Sequence, residues 1–143
     1  MAALDLLVDV QSGEAQGRTK PQYALTVTLV NRSAEALKLY KHALPWEGFH
    51  SMLLVAAKTD ALGSVLEKST LIDDPGPETI VLGPGQSLTG TIALKDRFPG
   101  LIDALTNNDV IVFWSYQCVS IAGLRSERFG GFVLIPTLQA REA

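Results

Sequence analysis

The most regular alternation of apolar and polar residues lies in residues 23–40, which read YALTVTLVNRSAEALKLY. Its first half has a period of two, with threonines on the opposite face, and this is typical of a half-buried β-strand. Turn residues at 31–33 interrupt the pattern, which then resumes, so we predict a strand, a tight connection and a second strand. The apolar positions are Tyr23, Leu25, Val27 and Leu29, then Leu37 and Leu39.

Similar patterns predict further short strands along the chain. Two continuous apolar runs, at 52–57 and 109–119, indicate strands buried on both faces, and the second is predicted to be central. Gly130 and Gly131 in the last strand indicate a β-bulge or a close approach of the backbone. The other predicted strands lie at 4–10, 65–69, 80–82, 88–94 and 129–135, with 65–69 returning from 52–57 as a hairpin.

Helical spacing of apolar residues occurs only in residues 95–108, and that segment is long enough for a turn or two. About eight to nine short strands with at most one short helix predict an all-β fold, an antiparallel two-sheet β-sandwich. A β-barrel is the alternative. The length of 143 residues suits a single domain, with its core at about residues 3–137 and a polar C-terminal tail.

Composition narrows the classes of partner. The net charge is −3 with both signs scattered, so there is no basic stripe for nucleic acid. No apolar run is long enough to span a bilayer, which predicts no membrane partner. The first ten residues lack the basic start and continuous apolar segment of a secretion signal, so we expect a cytoplasmic protein.

Side chains with catalytic or metal-binding chemistry are few. Cys118, the single cysteine, lies in an apolar strand and is predicted to be a structural core residue, with no internal disulfide. The two histidines, His42 and His50, lack the spacing of metal ligands. Asp73 and Asp74 precede Pro-Gly and are predicted to solvate a turn. We therefore expect no enzymatic activity, no metal and no cofactor.

The loop at residues 42–50, HALPWEGFH, is the strongest candidate for a binding site. Tryptophan often anchors protein interfaces, and Pro45 limits the loop's freedom before binding. We predict a partner-binding surface with Trp46 as anchor and Phe49 beside it, flanked by His42 and His50. The alternative is that Trp46 folds back and covers one end of the sandwich. Residues 125–128 are predicted to form a solvated hairpin tip.

Three segments together resemble a known family: residues 26–39, 54–69 and 80–94. Their matching features are Asn31 at a strand end, a turn at 60–63 and Pro84-Gly85 before a late strand. This order resembles the immunoglobulin-like intracellular proteinase inhibitors of bacteria, and is similar to pro-segments of some secreted metalloendopeptidases. The resemblance covers about half of the chain. It implies an immunoglobulin-like sandwich and a proteinase as partner, and it implies no particular inhibitory residues.

Two functions are consistent with these observations. The first is a non-catalytic protein-binding module that inhibits or accompanies a proteinase. The second is an immunity-type or structural interaction protein, which binds a non-proteolytic partner or assembles through a sheet edge. The absence of a disulfide weighs against a rigid substrate-like inhibitory loop, because only the scaffold and prolines would hold it.

Overall fold

The computed structural model describes residues 4–13, 23–47, 51–69 and 76–138. Eight β-strands dominate these residues, joined by two short α-helices and one 3₁₀ turn at Lys41–Ala43. The strands are β1 Leu6–Gly13, β2 Ala24–Asn31, β3 Leu37–Tyr40, β4 Leu53–Lys58, β5 Thr79–Leu82, β6 Ser87–Ala93, β7 Val110–Tyr116 and β8 Phe129–Ile135. The helices are α1 Leu94–Arg97 and α2 Leu101–Leu105.

All strand pairs are antiparallel and form three hydrogen-bonded groups. The orders are β1-β2-β6, β3-β5 and β4-β7-β8. Buried residues from all three groups belong to one hydrophobic core. The all-β sandwich predicted from the sequence is confirmed, although the backbone hydrogen bonds divide it into three sheets where two were predicted.

The period-two pattern of residues 23–40 is confirmed at every apolar position. Leu25, Val27, Leu29 and Leu39 are fully buried, and Tyr23 and Leu37 are each 8% exposed. However, β2 and β3 join different sheets, since β2 pairs with β1 and β6 whereas β3 pairs with β5. The connection at 32–36 therefore carries the chain from the β1-β2-β6 sheet to the β3-β5 sheet.

Asn31, the last residue of β2, fixes this crossing through its buried amide. Its Nδ2 donates to the carbonyl oxygens of Glu35 at 2.8 Å and Leu82 at 2.9 Å. Its Oδ1 accepts hydrogen bonds from the backbone N–H and the hydroxyl of Ser33. The side chain thus joins the end of β2, the turn after it and the end of β5, and all its hydrogen-bonding groups are satisfied.

The helix predicted at 95–108 is found in that part of the chain, but as two short helices, α1 and α2. Phe98 separates them in an extended conformation, with φ −131° and ψ 92°. It precedes Pro99, and a residue before proline is sterically driven out of the helical region. The buried side chains of Leu94, Phe98, Leu101 and Leu105 attach both turns to the core.

The prediction that residues 52–57 are buried on both faces is wrong at the start of β4, where Leu53 is 56% exposed and Leu54 4% exposed. It holds only at the end of the run, where the neighbours Ala56 and Ala57 are both buried. β4 is an edge strand of the β4-β7-β8 sheet, and Leu53 lies on the sheet face that is not packed against the core. The predicted return strand at 65–69 is also absent. The segment is held by one bridge, Ala57 to Val65, and by two backbone hydrogen bonds, from Leu66 N–H to Ala56 O at 2.7 Å and from Ser69 N–H to Arg97 O at 2.8 Å.

β7 is the middle strand of its sheet, as predicted for the run at 109–119. Its inner face is the more buried one, because Val110 and Val112 are at 0% exposure and Trp114 is half-buried, whereas Phe113 on the other face is 42% exposed. No bulge occurs in β8, whose register with β7 runs unbroken through Gly130 and Gly131. Instead the backbone is closely approached at Gly131, where a Cβ would lie 3.1 Å from Trp114 Nε1.

The charged residues at 125–128, namely Arg125, Glu127 and Arg128, are exposed as predicted, but they do not form the hairpin tip. Ser126 between them is 3% exposed, and its hydroxyl accepts from Cys118 N–H at 3.0 Å and donates to Glu127 O at 2.7 Å. The chain reverses earlier, at Gly123, whose φ of 85° is readily adopted by glycine. None of the helices in the described segments is long and apolar enough to cross a membrane.

Candidate functional site

The loop predicted to bind a partner is described as far as Glu47, so Phe49 and His50 lie outside the described residues. His42 is exposed and stacks on Tyr40, with ring centroids 5.2 Å apart and planes 7° from parallel. Pro45 is buried. Among the predicted residues that the structure describes, His42 is therefore exposed, Trp46 is half-buried and Pro45 is buried.

Trp46 is half-buried and packs against the hydrophobic core. Its indole lies against Gly90 of β6, so closely that a Cβ at Gly90 would overlap the ring. Gly90 pairs with Val27 of β2, whose side chain is fully buried, so this is the inner face of the sheet. This contact favours the alternative in which Trp46 covers the sandwich.

Two further contacts fasten the loop to the scaffold. Tyr116 Oη donates to Ala43 O at 2.5 Å, and burial raises the pKa of this tyrosine well above its ordinary value. The Ser51 hydroxyl lies 2.6 Å from His42 O and also reaches Glu47 O. The described part of the loop is therefore packed at three places, and the anchor role of Trp46 in partner binding stays a prediction.

A different surface gathers exposed apolar residues, namely the side of the β4-β7-β8 sheet that faces away from the core. We call it the outer apolar face. Single exposed apolar side chains are common on protein surfaces, whereas several large ones exposed side by side are not. Its residues are Leu53 at 56% exposure, Phe113 at 42%, Phe132 at 63% and Leu134 at 49%, with half-buried Val55 and Ile111 between them.

The strand register arranges this face in three rows across the sheet. The middle row is Val55, Phe113 and Phe132, and the two phenylalanine rings lie 6.3 Å apart at 54°. Residues directly opposite each other on one face are close enough to touch. One outer row is Ala57, Ile111 and Leu134, and the other is Leu53, Ser115 and Gly130.

Arg128 lies at one end of the outer apolar face. Its Nη1 donates to Ser115 Oγ at 3.0 Å, and its Nη2 is 3.5 Å from Gln117 Oε1. At the opposite end, Asp109 accepts Thr137 N–H at 2.7 Å. An apolar centre of aromatic side chains with charged ends, including an arginine, is the composition found in protein interfaces.

Sequence reasoning missed this surface for an identifiable reason. The run VIVFWSYQCV is apolar at both odd and even positions, and it predicted burial on both faces. That rule requires a second layer on the outer side, and none of the described strands or helices supplies one at Phe113, which is 42% exposed. The signal was present in Phe113, Phe132 and Leu134, but only strand pairing shows that they share one face.

Groups with chemical reactivity show no catalytic arrangement in the described residues. Cys118 is fully buried, and burial raises the pKa of its thiol. No group of three or more His, Cys, Asp or Glu side chains in the described segments could hold a metal ion. Asp73 and Asp74 lie outside those segments. An open cavity of about 220 Å³ lies beside Leu53, with Lys68 and Arg97 among its lining residues.

Comparisons with known proteins support the fold alone. No protein-family model matches the chain, and no curated protein matches it. A crystal structure from Bordetella pertussis that carries the provisional name ApaA is similar over 96% of this chain and 97% of its own, with a TM-score of 0.50 and 15% identity. A second, described as a structural genomics consortium target, has a TM-score of 0.42 and 14% identity over 97% of this chain and 92% of its own. The chain is thus similar in fold to the provisional ApaA protein across nearly its whole length.

Proposed function

We propose that this protein is a non-catalytic protein-binding module whose binding surface is the outer apolar face. The observation that carries the proposal is the set of apolar side chains in three adjacent rows, exposed by 42% to 63% at four positions. A continuous apolar surface of this kind marks interaction sites in water-soluble domains. The charged groups at its two ends give a partner a way to fix its orientation.

Burial of the outer apolar face provides enough free energy for specific but moderate binding. Full burial of a Leu or Phe side chain contributes about 1.5–3 kcal/mol, so the four residues, each about half exposed, contribute roughly 4 kcal/mol. Association costs at least about 4 kcal/mol in lost translational and rotational freedom. The face by itself therefore supports weak binding, and a tight complex needs additional contacts at its edges.

The non-catalytic part of the proposal rests on the same arguments as the sequence prediction, together with the position of Cys118. A thiolate nucleophile needs an accessible sulfur and a lowered pKa. Cys118 is buried and its pKa is raised. His42 stacks on Tyr40 and not on a nucleophile. We accordingly propose a module without metal or cofactor, and begin the search for its partner in the cytoplasm.

A capture experiment tests the proposal. Immobilised wild-type protein and two variants, Phe132→Glu and Val81→Glu, are incubated with lysate of the source organism, and bound proteins are quantified by mass spectrometry. Both positions are exposed and apolar, at 63% and 57%, but Val81 lies on β5 outside the face. We expect a partner retained by wild type and Val81→Glu and reduced at least tenfold by Phe132→Glu. Equal capture by all three proteins would exclude this surface.

The resemblance to proteinase inhibitors makes a proteinase the first partner class to test. Wild type and Phe132→Glu are added to metallo- and serine endopeptidases, and hydrolysis of a folded protein substrate is followed. Inhibition by the wild type that Phe132→Glu lacks would support a proteinase partner bound through this face. If no endopeptidase is inhibited, a non-proteolytic partner becomes the better proposal.

A further inference from the structure

We infer that the occupant of the outer apolar face is a second copy of this chain, in a two-fold symmetric dimer with the two sheets packed face to face. This inference rests on the proposed function, because it names the partner of the same surface. Its two arguments are the sizes of the side chains in the outer rows of β7 and β8 and the charges at the two ends. Both are self-complementary about one axis.

The axis lies between the sheets, runs across the strands and passes over the middle row. This rotation reverses the strand direction, so each strand packs over the same strand of the other copy. Val55, Phe113 and Phe132 then meet their own counterparts. The outer row at Ala57, Ile111 and Leu134 faces the other outer row, at Leu53, Ser115 and Gly130.

The residues brought opposite each other alternate in size. On β7 large Ile111 faces small Ser115, and on β8 large Leu134 faces Gly130. Ala57 of β4, which lies opposite Leu53, is buried at 1% exposure and takes no part in this packing. Interdigitation of large with small side chains is how packed layers fill the space between them. An axis along the strands would place each outer row against itself, so that Ser115 faces Ser115 and Ile111 faces Ile111, and it would bring the Arg128 ends of the two copies together.

The charges follow the same symmetry. Asp109 lies four residues before Phe113, and Gln117, the residue that Arg128 contacts across the strands, lies four after it. The rotation therefore brings the Arg128 end of one copy over the Asp109 end of the other. Glu127 lies at the Arg128 end and Lys58 at the Asp109 end, and each carries the charge opposite to that of its neighbour. The attraction between the copies therefore depends on Arg128, whose hydrogen bond to Ser115 holds its guanidinium over the face.

The area available sets the strength of the dimer. With about 150–250 Å² per aromatic side chain, the exposed parts of the two phenylalanines supply roughly 200 Å², and Leu53 and Leu134 raise this to about 400 Å². Two copies then bury about 800 Å² through these residues, below the 1,200–2,000 Å² of a stable complex. We therefore expect a weak dimer whose population depends on protein concentration.

Sedimentation equilibrium from micromolar to several hundred micromolar protein tests the inference. The weight-average mass of wild type and Val81→Glu should rise from 15.4 kDa towards twice that value. Phe132→Glu and, independently, Leu53→Glu should remain monomeric with unchanged circular dichroism. Arg128→Glu should weaken association about tenfold at low salt and less at high salt. A wild type that stays monomeric throughout, or dimerises equally after either face substitution, overturns the inference.

Cross-linking with a short bis-maleimide tests the orientation. Val55→Cys places a thiol on the axis, so the two copies should cross-link in high yield. Leu53→Cys, on the same strand and face, places the thiols about four residues or 14 Å apart along the strands and should not. Cross-linking at position 53 but not 55 overturns the arrangement.

The two experiments separate this inference from the proposed function. A monomeric wild type that still captures a different protein through Phe132 refutes the dimer and retains the binding module. Failure of both capture and self-association to respond to Phe132→Glu refutes both.

Discussion

Replacement of Asn31 by alanine should be among the most destabilising polar substitutions in this protein. The amide is fully buried and makes four hydrogen bonds, to Glu35 O, Leu82 O and the N–H and hydroxyl of Ser33. Alanine removes all four and adds no atom that could replace them. Leu82 is itself buried at 1% exposure, so water reaches its carbonyl oxygen only if the strand end opens.

The expected loss follows from the groups left without partners. An unsatisfied buried donor or acceptor costs about 1–3 kcal/mol. Leu82 O loses its Nδ2 partner in full, whereas Glu35 O retains the Ser33 hydroxyl at 2.9 Å. One complete and one partial loss, with a small cavity, give about 3 kcal/mol. That is a large share of the roughly 5–15 kcal/mol that stabilises an ordinary domain.

Urea unfolding followed by tryptophan fluorescence measures this loss, with the midpoint falling and the slope unchanged. Thr89→Ala is the matched control, because Thr89 is exposed and its hydroxyl bonds to that of half-buried Thr28 at 3.0 Å, so its loss should stay within about 0.5 kcal/mol. Ser33→Ala should lie between them. A loss below about 1 kcal/mol for Asn31→Ala would show that water replaces the amide, and that the crossing from β2 to β3 does not depend on it.

Three further predictions concern packing and titration. Gly90→Ala should lower the free energy of unfolding by about 1–3 kcal/mol, because the added Cβ displaces the indole of Trp46. Gly76→Ala, with no atom within 4 Å of the added Cβ, should be nearly neutral. Equal urea midpoints for the two variants would contradict this. Trp46→Ala should lose about 3 kcal/mol with partner capture retained, and the reverse result would restore Trp46 as the binding anchor. Burial raises the pKa of Cys118, so the thiol of the folded protein stays neutral when that of the unfolded chain ionises above about pH 8.5. The stabilising effect of the neutral thiol is present below that pH and lost above it. The free energy of unfolding of the wild type should therefore fall between pH 8 and 10 more steeply than that of Cys118→Ala. Parallel pH profiles of the two proteins would contradict the burial of Cys118.

The resemblance to proteinase inhibitors rests on turn residues, and the structure explains their local roles. Asn31 ends β2 with its amide buried, and its carbonyl oxygen accepts Gly85 N–H at 2.8 Å. Gly85 has a φ of 73° in the turn that begins at Pro84, a conformation that glycine adopts without strain. These residues serve the connection between layers of a sandwich. They are therefore informative about the fold, and the proteinase partner remains a proposal.

The sequence alone determined which side chains share a face and where most strands lie. The alternation at Leu25, Val27 and Leu29 predicted their burial, and the last strand was predicted with the bounds Phe129–Ile135 that the structure shows. The burial of Cys118 also followed from its register in an apolar strand. Such predictions succeed because a strand's period is a local property of the backbone, independent of its neighbours.

Only the tertiary structure decided which faces are covered and which strands are neighbours. Nothing local distinguishes Phe113, 42% exposed, from Val112, fully buried, because both are apolar and the difference depends on whether another layer packs there. The same holds for Trp46, whose place against Gly90 depends on two segments far apart in the chain. The loop predicted as the binding site is therefore packed where the structure describes it, and the exposed apolar surface lies on strands predicted to be interior, because burial is settled by long-range packing and not by the period of the sequence.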